Sequence, residues 1–346
     1  MYRFFLKPLL FLFDPEKIHH FVFALVKFSH YFPGIGALNR LIYKTNHPEL
    51  KKELFGLTFE NPVGLAAGFD KNAKLFNQLG NFGFGFVEIG TVTPEPQPGN
   101  PKKRLFRLPE DEALINRMGF NNEGSKAIAR RLVGNKGRII VGGNIGKNTS
   151  TSDDFAAEDY VKNFRCLHEV VDYFVVNVSC PNVGSNAKIN DKEFLIDLLN
   201  HLKSINKEYG VERPILLKIG PDRSNEQLDD VIDIVKVTNI EGVIATNTAT
   251  DRSNLTTAKS QLDQIGNGGL SGKPLAERST EVIRYLAEKS NKGFPIIGVG
   301  GIHSPEDAME KLEAGADLIQ VYTGFVYSGP GLIKKINKRI IRESNS

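Results

Sequence analysis

The chain has 346 residues, with 44 lysines and arginines against 40 aspartates and glutamates, and a formal net charge of +4. This excess is too small to predict nucleic acid as a partner, and an apolar fraction of 40% is typical of a globular chain that buries a full core. Two cysteines, Cys166 and Cys180, are too few for a disulfide framework and fit a reducing compartment.

Residues 1–44 differ in composition from the rest of the chain. They hold eight of the 23 phenylalanines, and their six basic residues outnumber Asp14 and Glu16 by four, which equals the net charge of the whole protein. Charges interrupt every apolar run well short of the ~18 residues that a transmembrane helix needs. The first run ends at Asp14 without the small residues of a signal-peptide cleavage site.

Asp14 is a favourable N-cap with Pro15 at the first helical position, and apolar residues recur at helical spacing from Ile18 to Phe28. Basic, aromatic-rich amphipathic helices of this kind can lie in a membrane interface. They can equally pack on their own domain, and the pattern by itself leaves both interpretations open.

From Asn61 onward, short apolar runs alternate with helical patterns such as Asp191–Glu208 and Asn225–Thr238. Short, apolar strands separated by helices indicate a parallel sheet covered on both faces. The predicted strands are Val63–Ala67, Phe86–Thr91, Arg138–Asn144, Tyr173–Ser179, Ile215–Ile219, Gly242–Asn247, Pro295–Gly300 and Leu318–Thr323. Eight such units predict an α/β fold of the (β/α)₈ TIM-barrel type.

The segment between Thr93 and Gly137 is too long for a simple connection. Its prolines flank the run Arg104–Leu108, which predicts a small β-hairpin inserted over the barrel mouth.

Polar residues follow strand after strand where a barrel of this type has its active site. Lys71 follows the first strand, Asn177 to Asn182 follow the fourth, Lys218 ends the fifth, and Asn247 ends the sixth. Unpaired polar groups in a buried rim would cost free energy, so their convergence predicts a binding site. Asparagines offer a donor and an acceptor each, which suits a planar heterocycle with amide groups.

Two glycine-rich runs, Gly298–Gly301 and Tyr322–Gly324, follow the seventh and eighth strands. Backbone N–H groups and a short helix at these strands hold phosphate in many barrels, although either run alone is also typical of a tight βα turn. No histidine or carboxylate cluster has metal-ligand spacing, so we expect no metal.

At these residues the chain resembles the dihydroorotate dehydrogenases, flavin enzymes of pyrimidine synthesis, and specifically their membrane-associated, quinone-dependent class. The matching runs are Gly64–Asn72, Glu88–Pro94, Pro96–Pro101, Ile115–Asn122, Asn144–Asn148, Ala245–Thr248, Gly269–Pro274 and the N-terminal pattern Asp14-Pro-Glu-x-x-His19. They cover nearly the whole chain in the right order.

The resemblance implies FMN as the cofactor, dihydroorotate as the substrate and a membrane quinone as the electron acceptor. The implied FMN residues are Ala67, Gly68, Phe69, Asp70, Lys71, Thr91, Asn144, Asn177, Lys218, Thr246, Gly272, Gly301, Tyr322 and Thr323. The implied substrate residues are Lys71, Asn116, Arg117, Met118, Gly119, Phe120, Asn177, Asn182, Asn247 and Thr248.

The resemblance further implies that residues 1–44 form a membrane-associating helical segment with an apolar tunnel to the flavin. His19 and Arg104 are expected to line the quinone head. Residues 45–346 would then form the FMN-binding barrel. We expect a monomer, bound peripherally to the cytoplasmic face of the cell membrane.

Cys180 stands where the quinone-dependent class usually has serine and the soluble classes have cysteine. We hypothesise that Cys180 is the general base, which takes the C5 proton of dihydroorotate while a hydride leaves C6 for the flavin. A thiol with an ordinary pKa of ~8.5 needs only a modest downward shift, which nearby Lys71 could supply.

Three other functions remain open from the sequence. One is a soluble-type dihydroorotate dehydrogenase that uses fumarate or NAD. The second is a cysteine-dependent flavin barrel that reduces uracil in tRNA, although the rim has few basic residues. The third is a non-catalytic phosphate-binding barrel.

Overall fold

The computed structural model describes residues 2–134, 139–178 and 191–345. Its centre is a closed barrel of eight parallel strands, in which each strand pairs with its neighbours in chain order and the last pairs with the first. The predicted (β/α)₈ fold is therefore confirmed.

The strands of the barrel are short and almost wholly buried, as their apolar sequences predict. The barrel consists of β3 (Val63–Asp70), β4 (Phe86–Val92), β7 (Ile140–Ile145), β8 (Tyr173–Asn177), β9 (Ile215–Ile219), β10 (Gly242–Ala245), β12 (Ile296–Val299) and β13 (Leu318–Val321). The remaining strands are β1 (Lys52–Leu54), β2 (Leu57–Phe59), β5 (Leu105–Leu108), β6 (Ala113–Asn116) and β11 (Gly269–Gly272).

Helices surround the barrel and also form the N-terminal segment. They are α1 (Lys7–Phe11), α2 (Pro15–Ser29), α3 (Ile35–Tyr43), α4 (Phe76–Gly80), α5 (Ser125–Leu132), α6 (Ala156–Leu167), α7 (Lys192–Asn206), α8 (Asn225–Thr238), α9 (Lys259–Ile265), α10 (Ala276–Lys289), α11 (Pro305–Glu313), α12 (Thr323–Ser328) and α13 (Gly331–Ser344). Short helical turns cover Tyr2–Leu6, Pro48–Leu50, Asp153–Phe155 and Lys273–Leu275.

Local sequence explains where several outer helices begin. Asp191 caps α7 by accepting hydrogen bonds from two backbone N–H groups, and Ser224 and Gln227 form a capping box at α8. Each helix then buries one apolar stripe against the barrel, as Leu195, Leu198 and Leu202 do in α7.

The barrel interior changes from apolar to polar along its axis. At the N-terminal end, the antiparallel hairpin of β1 and β2 closes the barrel, and the Phe59 ring meets the Phe86 ring edge-on at 5.2 Å. Inward positions alternate along a strand. Two residues after Phe86, the next inward position is therefore Glu88, and Leu216 is followed in the same way by Lys218. The polar, C-terminal end of the barrel is therefore the end that carries the site.

The insertion over the barrel mouth is a sheet of three strands. β5 and β6 form the predicted antiparallel hairpin, and β11 pairs with the other edge of β6. The sequence run Gly268-Gly-Leu-Ser-Gly272 predicts a close-approach loop rather than a strand, because glycine has low strand propensity. Pairing with β6, which lies far away in the sequence, makes it a strand.

The N-terminal segment packs against the insertion sheet and the rim of the barrel. Asp14 caps α2 with Pro15 at its first position, as predicted. The Glu16 carboxylate then accepts hydrogen bonds from the Arg104 guanidinium at 2.7 and 3.2 Å, and both side chains are buried. Arg107 donates to the backbone carbonyls of Phe11 and Phe13. These contacts tie α1 and α2 to the hairpin.

The other face of this segment is apolar and exposed. Phe4 is 81% exposed and Leu41 is 78% exposed, and Phe21, Phe28 and Tyr31 are exposed as well. Within the described ranges, none of the helices has both the length and the apolar character to cross a membrane. The division of the chain at residue 44 stays a prediction, although α3 ends at Tyr43.

We expect Glu16→Ala to destabilise the docked N-terminal segment. Burial raises the pKa of Glu16, but the hydrogen bonds and charge of Arg104 outweigh it and hold the pKa below its ordinary value. The ion pair is therefore intact at neutral pH and is lost as the pH falls through that lowered pKa. Removing one partner of a buried pair should lower the free energy of unfolding by about 3 kcal/mol.

Urea unfolding and limited proteolysis of residues 1–44 measure this effect. Lys17→Ala changes an exposed residue on the same helical turn and is the matched control. Equal unfolding midpoints and equal cleavage rates for the two variants would contradict the proposed role of the ion pair.

Candidate active site

A cavity of about 220 Å³ lies at the C-terminal ends of the barrel strands. Its walls come from the strand ends, the loops that follow β11, β12 and β13, the insertion sheet and the first turns of α2. Because all eight strands are parallel, residues that follow different strands meet at this one end. The cavity therefore lies where the sequence predicts a site.

Most residues predicted for the site line this cavity. They are His19, Ala67, Gly68, Phe69, Asp70, Lys71, Thr91, Asn116, Met118, Gly119, Phe120, Asn177, Lys218, Thr246, Asn247, Thr248, Gly272, Gly301, Tyr322 and Thr323. Three further predicted residues, Arg104, Arg117 and Asn144, are not among the lining residues. Cys180 and Asn182 lie outside the described residues.

The floor of the cavity is a hydrogen-bonded layer centred on Glu88, whose side chain is 0% exposed. One carboxylate oxygen of Glu88 accepts from the Lys218 ammonium at 3.1 Å and from the Asn144 amide at 2.7 Å. The other oxygen accepts from the Gln320 amide at 2.6 Å. Lys218 and Gln320 reach the cavity surface above this layer. Asn144 thus belongs to the floor without lining the cavity itself.

A chain of polar side chains continues from this floor along the wall. The Thr91 hydroxyl donates to the Asn144 amide oxygen at 2.6 Å and accepts from the Asn177 amide at 2.9 Å. The Asn247 amide donates to the Asn177 amide oxygen at 3.3 Å. The asparagines that the sequence places after three separate strands therefore form one connected network.

Lys71 supplies positive charge to the side of the cavity that faces α2. Burial, with a smaller contribution from the charge of Arg104, lowers the pKa of Lys71 to about 8, and Glu16 opposes the change. Burial, with smaller contributions from the charges of Lys71 and His20, lowers the pKa of His19 to about 3. At neutral pH the cavity therefore presents a cation at Lys71 and a neutral imidazole at His19.

Aromatic rings connect α2 with the barrel rim. The His19 ring lies 4.2 Å from the Phe23 ring and 5.1 Å from the Phe69 ring, measured between centroids. Phe69 in turn meets Tyr322 edge-on at 5.5 Å. Burial raises the pKa of Tyr322 to about 12, so its hydroxyl is neutral, and it donates to the Gly68 carbonyl. This row of rings forms an apolar path from α2 into the cavity.

Three glycines at or just after the ends of β11, β12 and β13 allow the chain to pack closely at the cavity wall. Gly301 has φ of +73°, and a Cβ there would overlap Ala276 at the start of α10. A Cβ on Gly324 would overlap the carbonyl oxygen of Ile302, and Gly272 has φ of +112°. Only glycine fits such positions without a shift of the backbone. The loops that carry these glycines therefore pack closely against neighbouring backbone at the cavity wall.

Two of the predicted contact residues have structural partners instead. Arg104 does not line the cavity, because its guanidinium is held by Glu16 and by the carbonyls of Pro98 and Asn100. The Arg117 guanidinium lies 4.8 Å from the Phe106 ring and donates to the Lys103 carbonyl at 3.0 Å. A guanidinium carries five N–H donors, and here Glu16 on α2 and backbone carbonyls around the insertion sheet accept from them.

Asp70 is one of the residues that line the cavity, and its carboxylate is hydrogen-bonded to the turn that follows β3. The two carboxylate oxygens accept from the backbone N–H groups of Lys74 and Leu75, each at 2.7 Å. Asp70 therefore fixes the turn that carries Lys71.

Sequence analysis assigns no role to Glu88 or Gln320, although both belong to the floor. The available signal was a charged or amide side chain in the middle of an otherwise apolar barrel strand. Glu16 also had no predicted role, although it lies inside the pattern Asp14-Pro-Glu-x-x-His19.

The described parts of the chain hold no group of three histidine, cysteine, aspartate or glutamate side chains that could bind a metal ion.

This fold and this cavity define a (β/α)₈-barrel protein with a helical N-terminal extension and a polar ligand site at the strand ends. Residues 49–343 match the model of the dihydroorotate dehydrogenase family. The chain belongs to the dihydroorotate dehydrogenase family.

Relatives extend this match over the full length. A protein of Christiangramia forsetii named dihydroorotate dehydrogenase (quinone) is 57% identical over 343 residues, which are 99% of each chain. A protein of the same name from Thermosynechococcus vestitus is 45% identical and covers 98% of this chain and 96% of its own. The crystal structure of DHODH from Eimeria tenella in complex with ferulenol superposes with a TM-score of 0.86, at 33% identity over 96% of this chain and 92% of its own.

Proposed function

We propose that the protein is a quinone-dependent dihydroorotate dehydrogenase, which oxidises (S)-dihydroorotate to orotate in pyrimidine biosynthesis. The observation that carries the proposal is the meeting of Lys71, Asn177, Lys218 and Asn247 in one cavity that also reaches α2. The family assignment and the full-length relatives named for the quinone-dependent enzyme support it.

The hydrogen-bonding residues that line the cavity fit FMN. Gly272, Gly301 and Gly324 line the cavity, and the backbone of such glycine loops would hold the phosphate group. Thr91, Asn177, Lys218 and Thr246 also line the cavity and would offer hydrogen-bond partners to the flavin ring, together with Ala67 and Gly68. FMN, when bound, would take the hydride from the substrate and deliver its electrons to quinone.

The substrate would lie above the polar network of the wall. Dihydroorotate carries a carboxylate and amide groups on a small ring, and the cavity offers the Lys71 ammonium with Asn116, Asn177, Asn247 and Thr248. Asparagine side chains can donate and accept at once, so they can match the amide groups of the ring. The network below them holds Asn177 and Asn247 in fixed orientations.

We expect the Lys71 charge to control the binding of the orotate anion. Since the pKa of Lys71 is about 8, the cation is present below pH 8 and disappears above it. The dissociation constant of orotate, followed by the flavin spectrum, should be constant from about pH 6 to 7.5. It should then rise by up to tenfold per pH unit above pH 8.

Lys71→Arg is the matched control, because arginine keeps its charge throughout this range. Its orotate affinity should not fall above pH 8. A wild-type affinity that is flat up to about pH 9.5 would contradict the role of Lys71.

We expect Cys180 to act as the general base that removes the C5 proton of dihydroorotate. Cys180→Ala should keep its flavin but reduce the rate of flavin reduction by dihydroorotate about 10²–10⁴-fold, since a positioned base contributes that much. Stopped-flow absorbance measures this rate. Cys180→Ser is the matched comparison and should retain more of the rate than the alanine variant. A near wild-type rate in the alanine variant would refute the assignment.

Quinone would enter along the aromatic path from α2. His19, Phe23 and Phe69 line or border this path, and the exposed apolar residues of α1 to α3 lie on the outside of the same segment. A basic segment with exposed phenylalanines suits peripheral contact with a membrane, where quinones are dissolved. We propose that the protein binds the cytoplasmic face of the cell membrane in this way.

A comparison of electron acceptors tests the proposed function. We expect dihydroorotate oxidation with a decylquinone, and no turnover with fumarate or NAD. Deletion of residues 1–44 should abolish the reaction with quinone while a soluble dye acceptor still works. Turnover with fumarate or NAD but not with quinone would instead support the soluble-type enzyme. Absence of flavin and of dihydroorotate oxidation would refute both.

A further inference from the structure

Glu88 is a buried carboxylate to which the proposed mechanism gives no task. It lies on β4 inside the barrel, is 0% exposed and does not line the cavity. Nonetheless it contacts the charged residue of the floor, Lys218, and two amides that support or line the cavity, Asn144 and Gln320. A carboxylate in this place has a cost in desolvation, which its partners must offset.

We propose that Glu88 is a positioning residue that neutralises Lys218 and fixes the direction of the hydrogen bonds on the cavity floor and wall. The proposal rests on the proposed FMN site. Glu88 would balance the charge of the cavity floor, and it would orient the amides that face the bound ligands.

Glu88 balances the charge of Lys218 within the floor. Lys218 and Glu88 are oppositely charged partners at 3.1 Å, with side chains 5% and 0% exposed. Tyr173 lies within the apolar part of the barrel, and burial together with the charges of Glu88 and Asp172 raises its pKa well above the ordinary value. Its phenol therefore stays neutral, and the Lys218–Glu88 pair gives this layer no net charge.

Glu88 also fixes the direction of the hydrogen bonds that follow it along the wall. An ionised carboxylate can only accept hydrogen bonds, so Asn144 must turn its amide nitrogen toward Glu88. The Asn144 oxygen then faces the Thr91 hydroxyl, which donates to it. Thr91 consequently accepts from the Asn177 nitrogen, and the Asn177 oxygen is left to accept from Asn247. One acceptor at the bottom thus determines the orientation of three side chains above it.

Glu88→Gln tests the charge, because glutamine keeps the shape of glutamate but removes its negative charge. Reduction adds negative charge to a bound flavin, so an uncompensated Lys218 ammonium should favour the reduced form. At a fixed ambient potential, we expect the ratio of reduced to oxidised flavin to rise at least tenfold. For two electrons this corresponds to an increase of about 30 mV in the midpoint potential.

The measurement is a dye-equilibrated titration of the full-length holoenzyme at pH 6.5. Glu95→Gln makes the same change of charge at an exposed position of the rim and should leave the potential unchanged. Lys218→Met should shift the potential in the opposite direction, and the double variant Glu88→Gln with Lys218→Met should return close to the wild-type value. Opposite shifts that cancel are not expected from a purely structural role.

A potential in Glu88→Gln equal to that of Glu95→Gln, with flavin retained, would overturn the proposal. If Glu88→Gln loses its flavin, flavin retention is compared between this variant and Glu88→Asp, because aspartate keeps the charge with a shorter side chain. Flavin retained in the aspartate variant supports a role of charge, and equal loss in both variants refutes it. A wild-type protein without flavin would refute the proposed function itself, whereas an active wild type without the predicted shifts would refute only the role of Glu88.

Discussion

The closed barrel imposes the constraint on which the site depends, because a polar residue that points into it has no access to bulk water. Each such residue needs a partner from another strand. Glu88 on β4 meets Lys218 on β9, Asn144 on β7 and Gln320 on β13, so four strands supply a single layer. The layer separates the apolar core from the cavity. It also explains why the polar groups above it are held in one arrangement.

A second set of buried contacts holds the N-terminal segment against this cavity. The buried pair of Glu16 and Arg104 connects α2 with the start of the insertion sheet, and Arg107 holds the end of α1. Through these contacts His19 reaches the cavity, while the opposite face of the helices keeps its phenylalanines exposed. The same segment therefore borders the ligand site and presents an apolar surface outward. An enzyme that takes a polar substrate and a lipid-soluble acceptor needs both.

Periodicity and strand-end residues predict a large part of this structure. The eight barrel strands, the cap at Asp14 and the hairpin of β5 and β6 follow from local patterns. The strand β11 does not, since its glycines become extended only by pairing with β6. Lys71, Lys218 and Asn247 were placed correctly at one rim because parallel strands end together. The ion pair of Arg104 with Glu16 could not be predicted, because the two residues are 88 positions apart in the sequence, and the contact of Arg104 with quinone stays a prediction.

The sequence by itself determined the barrel, the family resemblance and the set of polar residues at the strand ends. These depend on local alternation and on motifs that lie within short stretches of the chain. Only the tertiary structure decided which of these residues face the cavity and which support it from behind. In the folded chain, Arg104 and Arg117 donate hydrogen bonds to acceptors in and around the insertion sheet. Glu88 accepts a hydrogen bond from Lys218. The partner of a buried polar group is chosen by proximity in space, and no spacing in the sequence encodes that choice.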